Sequence, residues 1–413
     1  MTDYRDYDPF DPAVTTDPYP YYAALRRQSP VHHVAQYDLW AVSRHHDVMT
    51  VLHDAATFTN QAMAEVVVRP GDYERAGDVN DDEPTAVSII GTDGDEHARL
   101  RRIVSRGFTP KRIADLEPSI RRITRGLIDD FIDRGRCELI ADLAAPMPVA
   151  VIAELLGVDA DRHDDFRRWS EAMILAVFEP TTPEQAAHIS SCLDEMGAWM
   201  AEASEQRMRQ PADDLISVLV RAEADEALSH NEMQTFAFTL MVAASVTTTH
   251  LLGNAMLALV ENPSVLGAVV VDHDVIPSVL EESLRYDSPA QTMLRSAARD
   301  VVLSETTIPA GATVVALLGS ANRDGTVFRD PDQFDPRRDA REHLAFGHGA
   351  HFCLGASLAR LEARIALEEL FARMRDPVVV AETPRVHSFI FRGPQRLDLE
   401  FAPTQAHAGS TRG

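Results

Sequence analysis

Residues 346–355 of the chain read Phe346-Gly347-His348-Gly349-Ala350-His351-Phe352-Cys353-Leu354-Gly355. They place Cys353 on a glycine-rich loop, immediately before a segment with the apolar periodicity of a helix. The positive end of a helix dipole and the unpaired N–H groups at its start favour a thiolate. Gly347, Gly349 and Gly355 have no Cβ atom, so the loop can turn sharply and a flat ligand can approach closely. The stretch therefore predicts a chemically active cysteine.

The loop has three other possible interpretations. A lone cysteine near the start of a helix is often a small buried apolar residue. His348, His351 and Cys353 could instead bind zinc, although a fourth ligand is missing and the Phe-Gly frame has no role in such a site. Gly347-x-Gly349 also looks like the start of a dinucleotide loop. Phe352 stands where that motif needs its third glycine, so the dinucleotide interpretation fails.

The composition limits the class of protein. The 413 residues carry a formal net charge of −25, which disfavours nucleic acid and anionic membrane surfaces as partners. Three cysteines without paired spacing argue against a disulfide framework and suit a reducing compartment. The polar, acidic start of the chain indicates neither a signal peptide nor a membrane anchor. We expect a cytoplasmic protein.

The order of the predicted elements indicates a mainly α protein with a smaller β region. Glu232 to Glu261 is apolar almost all round, so this long helix should run through the interior. Residues 61–90 lack periodicity and should form a long loop, of the kind that often serves as a lid. The helix-rich core is predicted at about 95–285 and 354–375, and the β-rich parts at about 31–48, 300–320 and 377–403.

One domain is expected over residues 16–403, because no Pro/Gly/Ser-rich linker divides the chain. It should lie between a flexible N-terminus, residues 1–15, and a flexible tail, residues 404–413.

The spacing Phe-Gly-x-Gly-x-His-x-Cys-x-Gly resembles the haem-ligand loop of the cytochrome P450 family. Other stretches resemble further motifs of that family: Glu282-Ser283-Leu284-Arg285, Asp335-Pro336-Arg337-Arg338, His97-Ala98-Arg99-Leu100-Arg101, and Ala243-Ala244-Ser245-Val246-Thr247-Thr248. The matches span residues 93 to 371. The resemblance implies the mainly α cytochrome P450 fold, with the long helix over a haem b whose iron is bound by the Cys353 thiolate.

The resemblance also implies roles for single residues. Haem contacts, the iron ligand included, are expected from His97, Arg101, Ala243, Arg295, Phe346, Gly347, His351, Cys353 and Gly355. Among these, His97, Arg101, Arg295 and His351 should bind the propionates. A buried network of Glu282, Arg285 and Arg338 should support the cysteine loop, with Arg337 as the alternative to Arg338.

Ala244, Thr247 and Thr248 correspond to the family's catalytic stretch, in which the first threonine helps to deliver protons to dioxygen. Two residues depart from the family pattern. Ala244 replaces a glycine, and Val246 replaces an acid. Proton delivery is therefore expected from Ser245, Thr248, ordered water, the substrate or a more distant acid.

The implied activity is that of a haem-thiolate monooxygenase, which inserts one oxygen atom from dioxygen into a hydrophobic small molecule by hydroxylation, epoxidation or demethylation. The sequence contains no flavin or nicotinamide fingerprint, so the electrons should come from a separate ferredoxin and an NAD(P)H-dependent ferredoxin reductase. We expect this ferredoxin to dock near Arg102, Arg106, Arg360 and Arg364. The substrate pocket is predicted to include Ile89, Ile90, Ile174, Phe178, Met241, Val242, Ser245, Met293, Leu294 and Ile390.

Two other functions stay open. Because Val246 replaces the acid, the chain could be an atypical haem-thiolate oxidase with peroxide-driven, ring-forming or coupling chemistry. It could also be a non-catalytic haem protein that binds gases, although no signalling domain is recognisable in the sequence.

Overall fold

A computed structural model gives the fold of the chain and describes residues 2–63, 88–178, 182–224 and 228–404. Its helices are α1 Pro12–Thr16, α2 Tyr19–Gln28, α3 His45–His53, α4 Gly94–Val104, α5 Pro110–Asp115, α6 Glu117–Asp129, α7 Pro146–Leu156, α8 His163–Phe178, α9 Pro183–Arg209, α10 Leu215–Ala224, α11 His230–Glu261, α12 Pro263–Val271, α13 Ile276–Tyr286, α14 Leu318–Ala321 and α15 Ala356–Arg373.

The strands are β1 Val31–Val34, β2 Leu39–Val42, β3 Phe58–Thr59, β4 Arg136–Glu138, β5 Thr292–Ala297, β6 Val301–Leu303, β7 Thr306–Ile308, β8 Thr313–Leu317, β9 Met374–Val379 and β10 Asp398–Pro403. The prediction of a mainly α protein with a smaller β region is confirmed.

Helix α11 is the central element of the fold. Ser229 caps its N-terminus, because the Ser229 hydroxyl accepts from the Glu232 N–H while the Glu232 carboxylate accepts from the Ser229 N–H. The helix packs against α7, α8, α13 and α15 and joins the two largest apolar cores of the described residues. Its apolar surface is therefore explained by burial on nearly all sides.

The strands form three sheets in the described part of the chain. The largest has the order β1-β2-β8-β5-β3, with β2 and β8 parallel and the other neighbours antiparallel. The second has the order β4-β10-β9, and β6 pairs with β7. Strand β5 brings Arg295 and Met293 to the cavity described below, so the first sheet supplies part of the site.

The predicted flexible N-terminus is wrong for residues 2–15. Asp11 caps α1, and the side chains of Tyr7 and Val14 are buried. Tyr7 packs against Tyr22, with ring centroids 6.1 Å apart. These apolar contacts join segments that are close in sequence. They produce no apolar periodicity, because the N-terminal segment is short and the residues between its apolar side chains are polar.

The boundaries of the β-rich parts also need correction. Residues 45–48 belong to helix α3 and not to a strand. Strand β4 interrupts the predicted helical core, and β5 lies in a segment that the sequence did not mark as a strand. Residues 64–87 of the predicted lid and residues 405–413 of the predicted tail lie outside the described residues.

Among the described helices, one is long and apolar enough to cross a membrane, namely α11 from Asn231. Of its most apolar window, 67% is buried inside the protein. The high hydropathy of α11 is therefore explained by its burial in the core of the protein.

Candidate active site

The cysteine loop has the geometry that its glycines predict. Gly347 and Gly349 have φ angles of 68° and 71°, which side chains other than glycine rarely adopt. A Cβ atom on Gly349 would also lie 2.9 Å from the carbonyl oxygen of Leu52. The Cys353 N–H donates to the Phe346 carbonyl at 2.9 Å, and α15 begins at Ala356. The loop thereby holds the thiol at the start of a helix.

The electrostatic environment of Cys353 has opposing parts. Burial raises the pKa of its thiol, while the N–H groups of Gly355 and Ala356 and the charges of Arg101 and Arg360 lower it. A bound metal ion deprotonates a coordinating thiol outright. The surroundings therefore support a thiolate ligand once a cation is present.

Cys353 lies in a cavity of about 280 Å³ that is lined mainly by apolar side chains. The walls come from α4, α11, α15, β5, the cysteine loop and the segment before β10. Of the residues predicted from sequence, those that line this cavity are Ile89, Ile90, His97, Arg101, Ala243, Ala244, Thr247, Thr248, Met293, Arg295, Phe346, Gly347, His351, Cys353, Gly355 and Ile390. Cys137 and Cys192 are buried elsewhere in the core.

The cavity wall carries a cluster of nitrogen groups that can donate hydrogen bonds. The cluster contains more donors than negatively charged acceptors. Burial lowers the pKa of Arg295 to about 10, and its Nη1 donates to the Leu294 carbonyl at 2.8 Å. The His97 ring lies 4.0 Å from the His351 ring, and His97 Nε2 is buried without a hydrogen-bond partner among the described residues. Asp93 lies 3.4 Å from His351 Nε2.

Burying several cationic and donor groups is costly unless they bind a negatively charged acceptor. Haem carries two propionate carboxylates, so His97, Arg101, Arg295 and His351 fit its acidic edge, while Cys353 fits its iron. Asn60 also belongs to this cluster, because its Nδ2 lies 2.8 Å from His351 Nε2. No sequence pattern points to Asn60, which precedes the predicted lid.

The buried network is present on α13. Arg285 binds Glu282 through two parallel contacts, and Arg338 Nε donates to Glu282 Oε1 at 3.2 Å. Arg337 is exposed and pairs with Asp335 instead. The structure thus selects Arg338 over Arg337 as the second arginine.

The side chains of α11 near the cavity differ in whether they carry a hydroxyl group that can donate a hydrogen bond. The Thr247 hydroxyl donates to the Ala243 carbonyl at 2.8 Å, one turn earlier, and faces the cavity. Val246 is only 4% exposed and belongs to the interior. Thr248 is buried at the wall and donates to the Glu362 carboxyl.

Some of the predicted pocket residues need correction. Met241, Val242, Ser245, Leu294 and Ile174 do not line the cavity among the described residues. Met241 and Val242 pack in the helical core, and Ser245 donates to the Met241 carbonyl. Leu294 packs in an apolar cluster with Tyr7, Val14, Tyr22 and Leu25 from the N-terminal segment. The side chain of Phe178 lies outside the described residues.

The helical period explains these errors. Residues that α11 presents to the cavity recur at three- and four-residue steps: Phe236, Thr239, Leu240, Ala243, Ala244, Thr247, Thr248 and Leu251. Met241 and Ser245 lie on the opposite face. Phe236, Leu240 and Leu251 could have been found by extending the period from Thr247 in both directions. Ala290 and Phe391 also line the cavity and follow no period.

Glu362 was also missed, although it lines the cavity. A glutamate on a helix ordinarily faces water. Its position four residues after Leu358 and three before Ile365, both buried, was the available signal.

Comparison with known proteins shows the family of the chain. The family model for cytochrome P450 matches residues 37–375. The chain is 40% identical over 369 residues to the erythromycin C-12 hydroxylase of Saccharopolyspora erythraea, covering 88% of this chain and 89% of that one. It is 35% identical over 410 residues to the vitamin D(3) 25-hydroxylase of Pseudonocardia autotrophica, covering 97% and 98%.

A solved structure of a cytochrome P450 from Chondromyces apiculatus is also similar. It superposes with a TM-score of 0.87 at 40% identity, over 98% of this chain and 100% of that one. The predicted fold is therefore confirmed. Proteins of this family use haem b with a cysteine thiolate ligand and dioxygen, and Cys353 is the cysteine at the cavity. The chain belongs to the cytochrome P450 family and is a haem-thiolate monooxygenase.

Proposed function

We propose that this protein inserts one oxygen atom from dioxygen into a hydrophobic small molecule, with electrons from a separate ferredoxin and its NAD(P)H-dependent reductase. The observation that carries this proposal is the position of Cys353 and the donor cluster in one apolar cavity beneath α11. Its proposed place of action is the bacterial cytoplasm.

The haem, when bound, supplies the activation of dioxygen and the oxidising power. The residues of the chain bind and orient the haem and the substrate and exclude water. Arg295, His97, Arg101 and His351 orient the group through its carboxylates, and Phe346 packs beside the cysteine. The apolar walls exclude water and hold an apolar substrate close to the reacting oxygen.

The substrate class follows from the wall. Ile89, Ile90, Leu240, Met293 and Ile390 present hydrocarbon to the cavity, which favours a ligand that buries a large apolar area. Two relatives are named as an erythromycin C-12 hydroxylase and a vitamin D(3) 25-hydroxylase. We therefore favour a polycyclic or macrocyclic metabolite of bacterial secondary metabolism.

The electron donor should dock on the cysteine side. Arg102 and Arg106 are exposed, and neither forms an ion pair with another described residue. Arg360 and Arg364 are less suited than the sequence suggested, because Arg360 pairs with Glu281 and Arg364 with Glu117 and Glu368. Phe352 is 42% exposed beside Cys353 and offers an apolar contact. We therefore centre the docking face on Arg102, Arg106 and Phe352.

Reconstitution with isotopically labelled dioxygen tests this function. Compounds that shift the absorption of the ferric haem are first selected from a library of apolar metabolites. Turnover with a ferredoxin, its reductase and NAD(P)H should then place one labelled oxygen atom in the product and the other in water. Unlabelled product, or no product from any compound that binds, contradicts the proposal.

Peroxide-driven oxidation is a second candidate, favoured by the burial of Val246 where the family has an acid. In that case labelled peroxide should transfer its oxygen to the product at a higher rate than dioxygen does with the complete electron supply. Equal or lower rates with peroxide exclude this candidate.

A further inference from the structure

Thr239 carries a buried hydroxyl on the wall of the haem cavity. It lies on α11, is 7% exposed, and lines the cavity together with two apolar residues of the same helix, Phe236 and Leu240. Its Oγ1 atom is buried and has no hydrogen-bond partner within the described chain. A buried hydroxyl without a partner destabilises a fold, so a ligand explains this group better than packing does.

The hydroxyl of Thr239 differs from those of three other residues on α11. The hydroxyls of Ser245, Thr247 and Thr249 each donate to the carbonyl four residues earlier, at 2.7, 2.8 and 2.9 Å. This bond is the ordinary way in which a helix satisfies a serine or a threonine. The Thr239 hydroxyl does not donate to the corresponding carbonyl of Thr235. It therefore keeps the capacity to donate a hydrogen bond to a molecule in the cavity and to accept one from it.

Thr239 does not belong to the groups that hold the haem. In the described part of the cavity wall, every other polar side chain belongs to the donor cluster, to the cysteine loop, or to the set of Thr247, Thr248 and Glu362. Thr239 is flanked on the wall by apolar side chains instead. Its hydroxyl is therefore placed to bind the substrate and not the haem.

The positions of Thr239 and Thr247 define a length along the cavity. Both residues line the cavity, and the eight residues that separate them correspond to a helical rise of about 12 Å. Between them α11 presents two small side chains to the cavity, those of Ala243 and Ala244, which leave room for a bound molecule. Thr247 corresponds to the family's catalytic stretch and marks the reacting end. A substrate oxygen bound at Thr239 would therefore lie about 12 Å from that end.

We infer that Thr239 is a specificity-determining residue, whose hydroxyl binds one hydroxyl or carbonyl oxygen of the substrate and thereby selects the carbon that is oxidised. This inference rests on the proposed function and narrows its substrate class. The substrate is an apolar polycyclic or macrocyclic compound with an oxygen function about 12 Å from the oxidised carbon. A compound without that oxygen leaves the Thr239 hydroxyl buried and unpaired, and it therefore binds more weakly.

The test compares two steroids with the same rigid, apolar skeleton. Androstanone with its single carbonyl on the five-membered ring has an oxygen at one end, and androstane has no oxygen. Equilibrium dialysis with the ferric, haem-loaded protein measures both affinities without turnover. Thr239→Val keeps the shape of the side chain and removes the hydroxyl. It should weaken the binding of androstanone by roughly five- to tenfold and leave that of androstane unchanged. Thr239→Ser, which keeps the hydroxyl, should bind androstanone like wild type.

The site of oxidation and the stability of the fold are the second and third measurements. With the complete electron supply, wild type should oxidise androstanone mainly on the ring farthest from the carbonyl, and Thr239→Val should give a mixture. Without steroid, Thr239→Val should be at least as stable as wild type, because the hydroxyl that it removes has no partner in the described fold. Thr235→Val is the matched control. Thr235 lies one turn earlier on α11, is half-buried and does not line the cavity, so this variant should change neither affinity nor product.

Equal losses of affinity for the two steroids in Thr239→Val would reduce the residue to a role in shape, and a loss of stability would assign its hydroxyl to the fold. Either result overturns the inference, and so does a wild type that does not bind androstanone. Binding of androstanone that depends on the Thr239 hydroxyl, without any labelled product, contradicts the proposed function alone.

Discussion

The guanidinium of Arg285 donates two nearly parallel hydrogen bonds to the carboxylate of Glu282, from Nε to Oε2 at 2.8 Å and from Nη2 to Oε1 at 2.7 Å. Both side chains are fully buried. Arg285 Nη1 also donates to the carbonyls of Asn322 and Pro331. The Asp335 N–H donates to Glu282 Oε1 at 2.9 Å. The pair thus ties α13 to the chain that leads into the cysteine loop.

Arg285→Met should lower the free energy of unfolding by roughly 3–5 kcal/mol, because it removes the bidentate partner of the buried Glu282 carboxylate and leaves only the contacts from Arg338 and the Asp335 N–H. Haem retention should fall with it. Denaturant unfolding and the haem-to-protein ratio measure both effects. Arg337→Met is the control, since Arg337 is exposed and should change stability by less than about 0.5 kcal/mol. A fully stable Arg285→Met would refute the supporting role.

Arg295→Met should weaken haem binding on the order of 10- to 100-fold, because a buried hydrogen bond to a charged group contributes about 1.5–3 kcal/mol. The haem-free protein should not lose stability, since burial already disfavours this charge and lowers its pKa to about 10. Haem transfer to a scavenger protein measures the affinity. Arg299→Met, an exposed arginine nearby, should bind haem normally. Loss of stability without loss of haem affinity would assign Arg295 to the fold.

His250 predicts a dependence of stability on pH. Burial first, and Arg385 second, lower the pKa of this ring from 6.5 to about 4, against an opposite effect of Asp287. Between about pH 6.5 and 4 the unfolded chain therefore binds the extra proton and the folded protein does not. Stability from this group is complete above about pH 6.5 and falls by about 3 kcal/mol as the pH drops to 4.

His250→Gln should remove this part of the slope when denaturant unfolding is repeated across the window. His46→Gln is the control, because His46 is exposed and should leave the slope intact. An unchanged slope in His250→Gln would show that the ring titrates normally.

Reversal of charge at Arg102 and Arg106 should raise the KM for an acidic ferredoxin by about tenfold at low salt and leave the binding of the apolar compound unchanged. The difference should shrink as salt is added, because exposed charges are screened over about 10 Å at 0.1 M. Arg167→Glu, an exposed position on α8, serves as control. If the wild type shows no salt dependence, the docking face is wrong.

Local chemistry explains which parts of the site could be predicted. The glycines, histidine and cysteine of the loop lie within ten residues, and Glu282 and Arg285 are one helical turn apart, so their geometry follows from spacing alone. The long helix α11 was likewise visible in its composition. It starts at His230, two residues before the predicted start, and Ser229 is its N-cap.

Contacts distant in sequence could not be predicted in this way. Strand β5 is defined by pairing with β8 and β3, which no local pattern reveals. The cluster that buries Tyr7 includes Leu294 of β5 and Val315 and Leu317 of β8, which lie far along the chain. The assignment of Met241 and Ser245 to the pocket, by contrast, was avoidable, because the helical period counted from Thr247 places neither side chain on the cavity face of α11.

The most direct test of the whole account is the absorption of the reduced, carbon monoxide-bound protein. Ligation by the Cys353 thiolate predicts the strongly red-shifted band of a haem-thiolate protein, and Cys353→Ser should abolish that band while Cys192→Ser retains it. A band of the histidine-ligated kind in the wild type, or an unchanged band in Cys353→Ser, would contradict the central claim.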